Sequence, residues 1–117
     1  MARREDIETA RYADMLAALG AEPRLRIMRL LLAAHPEGMF AGQLQQDLAM
    51  AASTLSHHLE KLKNEGLVKI HREGTFLRYT ADADSLRALV AFLYQECCTR
   101  NRVLSAKSIF ECTKKEG

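Results

Sequence analysis

Between Ser53 and Ala81 the spacing of apolar residues changes from one helical turn to every second residue, and that change limits the folds open to the chain. In "ASTLSHHLEKLKNEGLV" Leu55, Leu59 and Leu62 recur at helical spacing and form an inward stripe. Ser53 suits the N-cap of this helix and Gly66 its C-terminal stop. In "LVKIHREGTFLRYTA" apolar and polar residues alternate and β-formers are frequent, with Glu73 and Gly74 in the middle. Two short strands joined by a tight turn are expected there.

Three further helices are expected before this region and one after it. From Arg3 to Leu19, Ile7, Ala10, Met15, Leu16 and Leu19 keep roughly helical spacing up to Gly20. "AEPRLRIMRLLLAAHPEG" places Pro23 in a first turn and buries Leu25, Ile27, Met28, Leu30, Leu31 and Leu32, ending before His35 and Pro36. "FAGQLQQDLAM" is a short helix with Leu44 and Leu48 one turn apart. After the hairpin, Asp82 caps a final long helix, "DADSLRALVAFLYQECC", with Leu86, Leu89, Val90, Leu93 and Cys97 on one face. Beyond Cys98 the chain is polar and weakly periodic, with Val103, Leu104, Ile109 and Phe110 suited to another turn or two.

Two short helices followed by a basic hairpin is the order of a winged helix-turn-helix, a mainly α fold with one β-hairpin. With the leucine stripe turned inward, Ser53, Ser56, His57 and Lys61 face solvent or DNA and can meet base edges or phosphates. The hairpin adds Lys69, His71, Arg72, Thr75 and Arg78, and its cations suit phosphates whose counterions they displace. Plainer uses compete at several positions. Lys61 and Lys63 also fit a solvated helix face, His58 borders the inward stripe and suits a structural hydrogen bond, and Arg24, Arg26 and Arg29 suit pairing with acidic neighbours.

The 117 residues suit one domain, and a net charge of +2 permits a nucleic-acid partner without arguing for one. No apolar run approaches the roughly 18 residues needed to cross a bilayer, so no membrane partner is expected. "MARREDIETARYADM" alternates charges where a secretory signal has an apolar core, and a cytoplasmic protein is expected. A thiol enzyme needs an activating base beside its nucleophile, whereas the histidines here lie in a turn, the second helix of the motif and the wing. No enzyme is expected.

The strings "ALGAEPRLRIMRLLL" and "LSHHLEKLKNEGLVKIHREGTFLRYT", with the helix after them, resemble the ArsR/SmtB-type winged-helix repressors from Leu16 to Cys98. Ser56, His58, Leu59, Leu62, Gly66, Leu67, Val68, Arg72, Gly74 and Tyr79 carry the resemblance. It implies a homodimer, built by the first and last helices, that binds double-stranded operator DNA over an imperfect palindrome and lets go when a metal or metalloid binds. The start of the recognition helix departs from the family, with Ala52 where a polar residue is common, so base reading falls to Ser53, Thr54, Ser56 and His57. The winged domain is assigned to residues 1–98 and a C-terminal tail to 99–117. Burial argues separately for dimerisation: Leu86, Leu89, Val90 and Leu93 on the last helix, with Ile7, Met15, Leu16 and Leu19 on the first, exceed what a small core can cover. Two-fold pairing would set the recognition helices about one DNA turn, roughly 34 Å, apart.

All three cysteines, Cys97, Cys98 and Cys112, lie near the carboxyl end. Two effector locations known in the family lack their ligands here: "GQLQQDLAM" has no thiol and "DADSLRALVAFLYQE" has no histidine. The adjacent pair with a third downstream thiol resembles the arsenic-responsive branch, which implies trivalent arsenic or antimony as effector held by Cys97, Cys98 and Cys112. Thiolates are soft donors, and three without a fourth ligand suit a pyramidal trivalent centre better than structural zinc. A continuous helix rising about 1.5 Å per residue would hold Cys112 about 21 Å from Cys98, so the tail must fold back or come from the other subunit. A methylated arsenical needs only the pair. A thiol-redox repressor and a zinc or cadmium sensor of the same fold are the alternatives, and Cys97 also suits the role of a small hydrophobe continuing its stripe.

Overall fold

A computed structural model of the chain describes residues 3–100. Leucine periodicity and helix-end residues set its elements in the order α1 (Arg4–Leu19), α2 (Glu22–Ala33), β1 (Met39–Phe40), α3 (Ala41–Leu48), α4 (Ala52–Asn64), β2 (Val68–Glu73), β3 (Phe76–Ala81) and α5 (Ala83–Tyr94). The chain divides after Leu86 into two compact units. In the first, Met15, Ile27, Met28, Leu31, Leu44, Leu55, Leu59, Leu62 and Leu67 are fully buried and form the core shared by α1 to α4 and the wing. These are the inward positions of the helical stripes, with Leu67 at the turn into β2. Leu25 departs from the expected pattern: it is exposed, at the edge of the α2 stripe formed by Ile27, Met28 and Leu31.

The ends of α3 and α4 share one capping geometry. At the end of α4 the Leu67 N–H donates to Leu62 O and the Gly66 N–H to Lys63 O, while Gly66 takes φ +73. This pairing satisfies the last carbonyls, and it needs a left-handed residue, which glycine supplies without a Cβ clash. α3 ends the same way, Met50 N–H to Gln45 O and Ala49 N–H to Gln46 O, but its left-handed residue is Ala49, at φ 50. The start of α4 corrects an expectation: Ala51 occupies the N-cap without a side-chain cap, and Ser53 lies inside the first turn. Asp82 does cap α5, accepting the Ser85 N–H at 3.0 Å.

The sheet is also larger than the hairpin expected from the alternation, because β1 adds a third antiparallel strand in the order β1-β3-β2. Met39 lies opposite Tyr79 and Phe40 opposite Arg78. The β2–β3 register runs from Val68 opposite Ala81 to Glu73 opposite Phe76, so the turn is Gly74-Thr75 and Glu73 belongs to the strand. Directly opposed residues share a face. One face therefore carries Val68, Ile70, Leu77, Tyr79 and Ala81, with the exposed Arg72 at its tip end, and the other carries Lys69, His71, Glu73, Phe76 and Arg78 together with the buried Thr80.

The second unit begins at Arg87 and so holds most of α5 together with the turns beyond it. α5 ends at Tyr94, shorter than the helix expected to run through Cys98. Residues 95–100 are turns, held by Cys97 N–H to Tyr94 O at 2.8 Å and Thr99 N–H to Glu96 O at 3.2 Å. Cys112, and with it the tail assigned to 99–117 past Arg100, lies outside the described residues. No helix among the described residues is long and apolar enough to cross a membrane.

Candidate DNA interface and thiol pair

Burial of Leu55, Leu59 and Leu62 fixes the rotation of α4, because three leucines on one stripe leave the opposite side no access to the core. Ser53, Thr54, Ser56, His57 and Lys61 are all exposed as a result, so the structure brings together on one helix every recognition residue expected from the sequence. α3 packs against both α2 and α4, the arrangement that holds a second helix proud of a helix-turn-helix.

His58 belongs to the scaffold. Its Nδ1 accepts a hydrogen bond from Arg24 Nη1 at 3.3 Å, while Arg24 Nε donates to Ala18 O at 2.6 Å. Arg24 thus ties the end of α1 to α4, where the sequence suggested pairing with an acidic neighbour. Burial, then the positive charges of Arg24, His57 and Lys61, lower the pKa of His58 below 6.5, keeping the imidazole neutral and able to accept.

The wing divides its polar residues between two tasks. Arg72 and Thr75 are exposed near the tip, free to meet phosphate. Arg78 is engaged within the fold: its Nε donates to Glu73 Oε1 at 2.7 Å and its Nη1 to Glu37 O at 2.6 Å. His71 shares a hydrogen bond with the buried Thr80 hydroxyl at 3.0 Å, and Lys69 lies 3.9 Å from the Asp82 carboxylate. Phe76, which no motif in the sequence singles out, is 66% exposed at the wing tip. Its signal lies in the alternation, since Phe76 falls out of phase with the inward Leu77, Tyr79 and Ala81.

In the second unit, Cys97 Sγ and Cys98 Sγ lie 3.4 Å apart. Cys98 takes φ 64, the left-handed region that side chains other than glycine rarely adopt. The hydrogen bond with Cys97, then burial and the neighbouring charge, raise the pKa of Cys98, which holds its proton through neutral pH. Cys98 also lines a shallow hollow with Glu96, Thr99 and Arg100. Among the described residues no three His, Cys, Asp or Glu side chains gather to hold a metal. Of the expected dimer residues, Leu16, Val90 and Leu93 are exposed, Leu19 and Leu86 half-buried, and Leu89 buried.

Comparison with known proteins matches residues 15–71 to a helix-turn-helix domain family. The transcriptional activator HlyU of Vibrio cholerae is 30% identical over 94 residues, 80% of this chain and 84% of the relative. A Staphylococcus aureus homologue of the cadmium resistance regulatory protein CadC is 43% identical over 86 residues, 71% of this chain and 69% of that one. In solution, the homodimeric winged helix-turn-helix domain Mb0332 from Mycobacterium bovis, described as a possible ArsR-family regulator, superposes with a TM-score of 0.65 at 27% identity, covering 90% of this chain and 97% of its own.

Proposed function

The chain belongs to the ArsR/SmtB-type winged helix-turn-helix transcriptional regulators, a family of DNA-binding proteins rather than enzymes, and from that premise we propose a metalloid-responsive repressor. It binds operator DNA as a homodimer and is released when Cys97 and Cys98 take up trivalent arsenic or antimony. Exposed apolar side chains on α1 (Ile7, Leu16) and α5 (Val90, Leu93) offer surface for a second copy. α4 enters the major groove with Ser53, Thr54, Ser56 and His57 toward the bases. Lys61, Arg72 and Thr75 contact the backbone, and Arg78 positions the wing.

The observation that carries the effector assignment is the 3.4 Å separation of two adjacent sulfurs, close enough for one soft atom to bridge both. Chemistry at neutral pH agrees. Each As–S bond forms as an As–OH group leaves with the thiol proton as water, so As(OH)₃ with two thiols gives a dithiolate arsenic hydroxide and two waters. A protonated Cys98 is therefore no obstacle. A methylarsenite with two hydroxyls is satisfied by the pair alone, and Cys112 is the proposed third ligand for inorganic arsenic. Drawing the sulfurs around one atom shifts the dimer toward a geometry that no longer fits two half-sites. A coupling of about 1–3 kcal/mol weakens operator binding roughly five- to 150-fold.

Cadmium is the second reading, favoured by the CadC homologue among the relatives. One titration separates them. A duplex selected from a random pool by the full chain is labelled, and its release is followed by fluorescence anisotropy against arsenite, methylarsenite, antimonite, cadmium, zinc and peroxide. Arsenicals and antimonite are expected to release the parent but neither Cys97→Ser nor Cys98→Ser, both of which keep DNA affinity. Release of those variants by arsenite overturns the assignment.

A further inference from the structure

Phe76 is the first residue of β3, directly after the Gly74-Thr75 turn, and is 66% exposed. Burying an aromatic ring is strongly favourable, so one standing out at the tip of a hairpin has apolar area to gain from a surface that receives it. Its conformation is supported from below: the Phe76 and Phe40 rings meet edge to face with centroids 5.9 Å apart. Phe40 pairs with Arg78 in the sheet and immediately precedes α3, where its N–H donates to Gln43 Oε1 at 2.9 Å. The ring is thereby referenced to the helix-turn-helix itself and not only to the wing.

Charge around the ring selects the partner. Glu73, directly across the strand pair from Phe76, would repel phosphate, but its carboxylate is held by Arg78 at 2.7 Å. Arg72 is exposed beside it at the same tip, on the other face of the sheet, while Lys69 shares the face of Phe76 further down the wing, 3.9 Å from the Asp82 carboxylate. A single ring at a tip that also presents the exposed Arg72 is too small for a protein-docking patch, which runs to hundreds of Å², but it has the form of the apolar wedges that enter the minor groove and part a base step. We propose that Phe76 is such a wedge: in the operator complex the wing tip lies in the minor groove beside each half-site, and the Phe76 ring opens one base step there. The proposal rests on the operator-binding reading and adds to it a residue that senses DNA deformability. Pyrimidine–purine steps open most readily, so the chain prefers TA or CA/TG at that place without any hydrogen bond to those bases.

The test uses the full chain and its selected duplex, with anisotropy measured at several salt concentrations and bending by energy transfer between end labels. Phe76→Ala is expected to bind about tenfold more weakly and to lose bend, with Phe76→Leu in between. The dependence on salt is expected to stay unchanged, because an apolar ring releases no counterions. Replacing the flanking flexible step with an A-tract should weaken the parent and leave Phe76→Ala unaffected. Unfolding temperatures of parent and variant should agree, since the ring is not in the core. Equal affinity and equal bend for parent and Phe76→Ala overturn the wedge while leaving the repressor intact. A parent that selects no duplex overturns the operator reading, and the wedge with it; binding to single-stranded DNA alone would do the same.

Discussion

Arg24 Nη1 lies 3.3 Å from His58 Nδ1, and this contact joins the start of α2 to the middle of the recognition helix. The imidazole accepts, so it must be neutral at Nδ1. A proton there would set two positive groups face to face, with His57 and Lys61 adding to the repulsion.

Stability should therefore fall with acid through His58. Its folded pKa is lowered from 6.5, so the unfolded chain takes up the proton first as pH drops. The contribution is fully present above about pH 6.5 and is lost progressively as pH falls toward the folded value. Urea unfolding of parent and His58→Gln from pH 8 to 5 checks this. The difference between them should shrink toward acid, and parallel curves would remove His58 from the account.

Ala49 offers a stabilising change. At φ 50 its Cβ crowds the backbone where α3 ends, and glycine relieves that strain. Ala49→Gly is expected to raise unfolding free energy by about 0.5–1 kcal/mol, less the extra entropy of an unfolded glycine. Thermal or urea denaturation measures it, and a destabilised variant would contradict the argument.

Arg72 and Arg78 should separate in a salt titration of DNA binding. Arg72 is exposed near the tip, so Arg72→Ala should lower the slope of log K against log salt by about one. Arg78 is committed to Glu73 and the Glu37 carbonyl, so Arg78→Ala should loosen the wing and lower stability with little change in that slope. Matching slope changes for both would place Arg78 on phosphate after all.

Effector chemistry predicts opposite pH behaviour for arsenic and cadmium. A cadmium ion displaces thiol protons into solution, and the raised pKa of Cys98 makes that harder, so cadmium-driven DNA release should strengthen as pH rises from 6 to 8.5. Arsenite carries the protons away as water, and its response should stay nearly flat. Release curves at three pH values decide between them.

What the sequence determined by itself was whatever depends on residues a few positions apart. The α4 stripe, the Gly66 stop, the Asp82 cap and the wing alternation are local patterns, because helical and strand periods repeat within the reach of a turn or two. Those patterns also implied that Ser53, Ser56, His57 and Lys61 would stand outward, as they do. Only the tertiary structure decided matters that need partners from far along the chain. β1 is two residues long and exists because Met39 and Phe40 find Tyr79 and Arg78 across the sheet. Arg78 reads as a phosphate contact in isolation, but its second acceptor is 41 residues away at Glu37 O. Ala49 and Cys98 give no sequence sign of left-handed backbone, since glycine is the residue that normally announces it; their conformations come from how the chain must turn around them. Phe76 stands at the boundary between the two kinds of information: alternation points it outward, and only the fold places Phe40 beneath it.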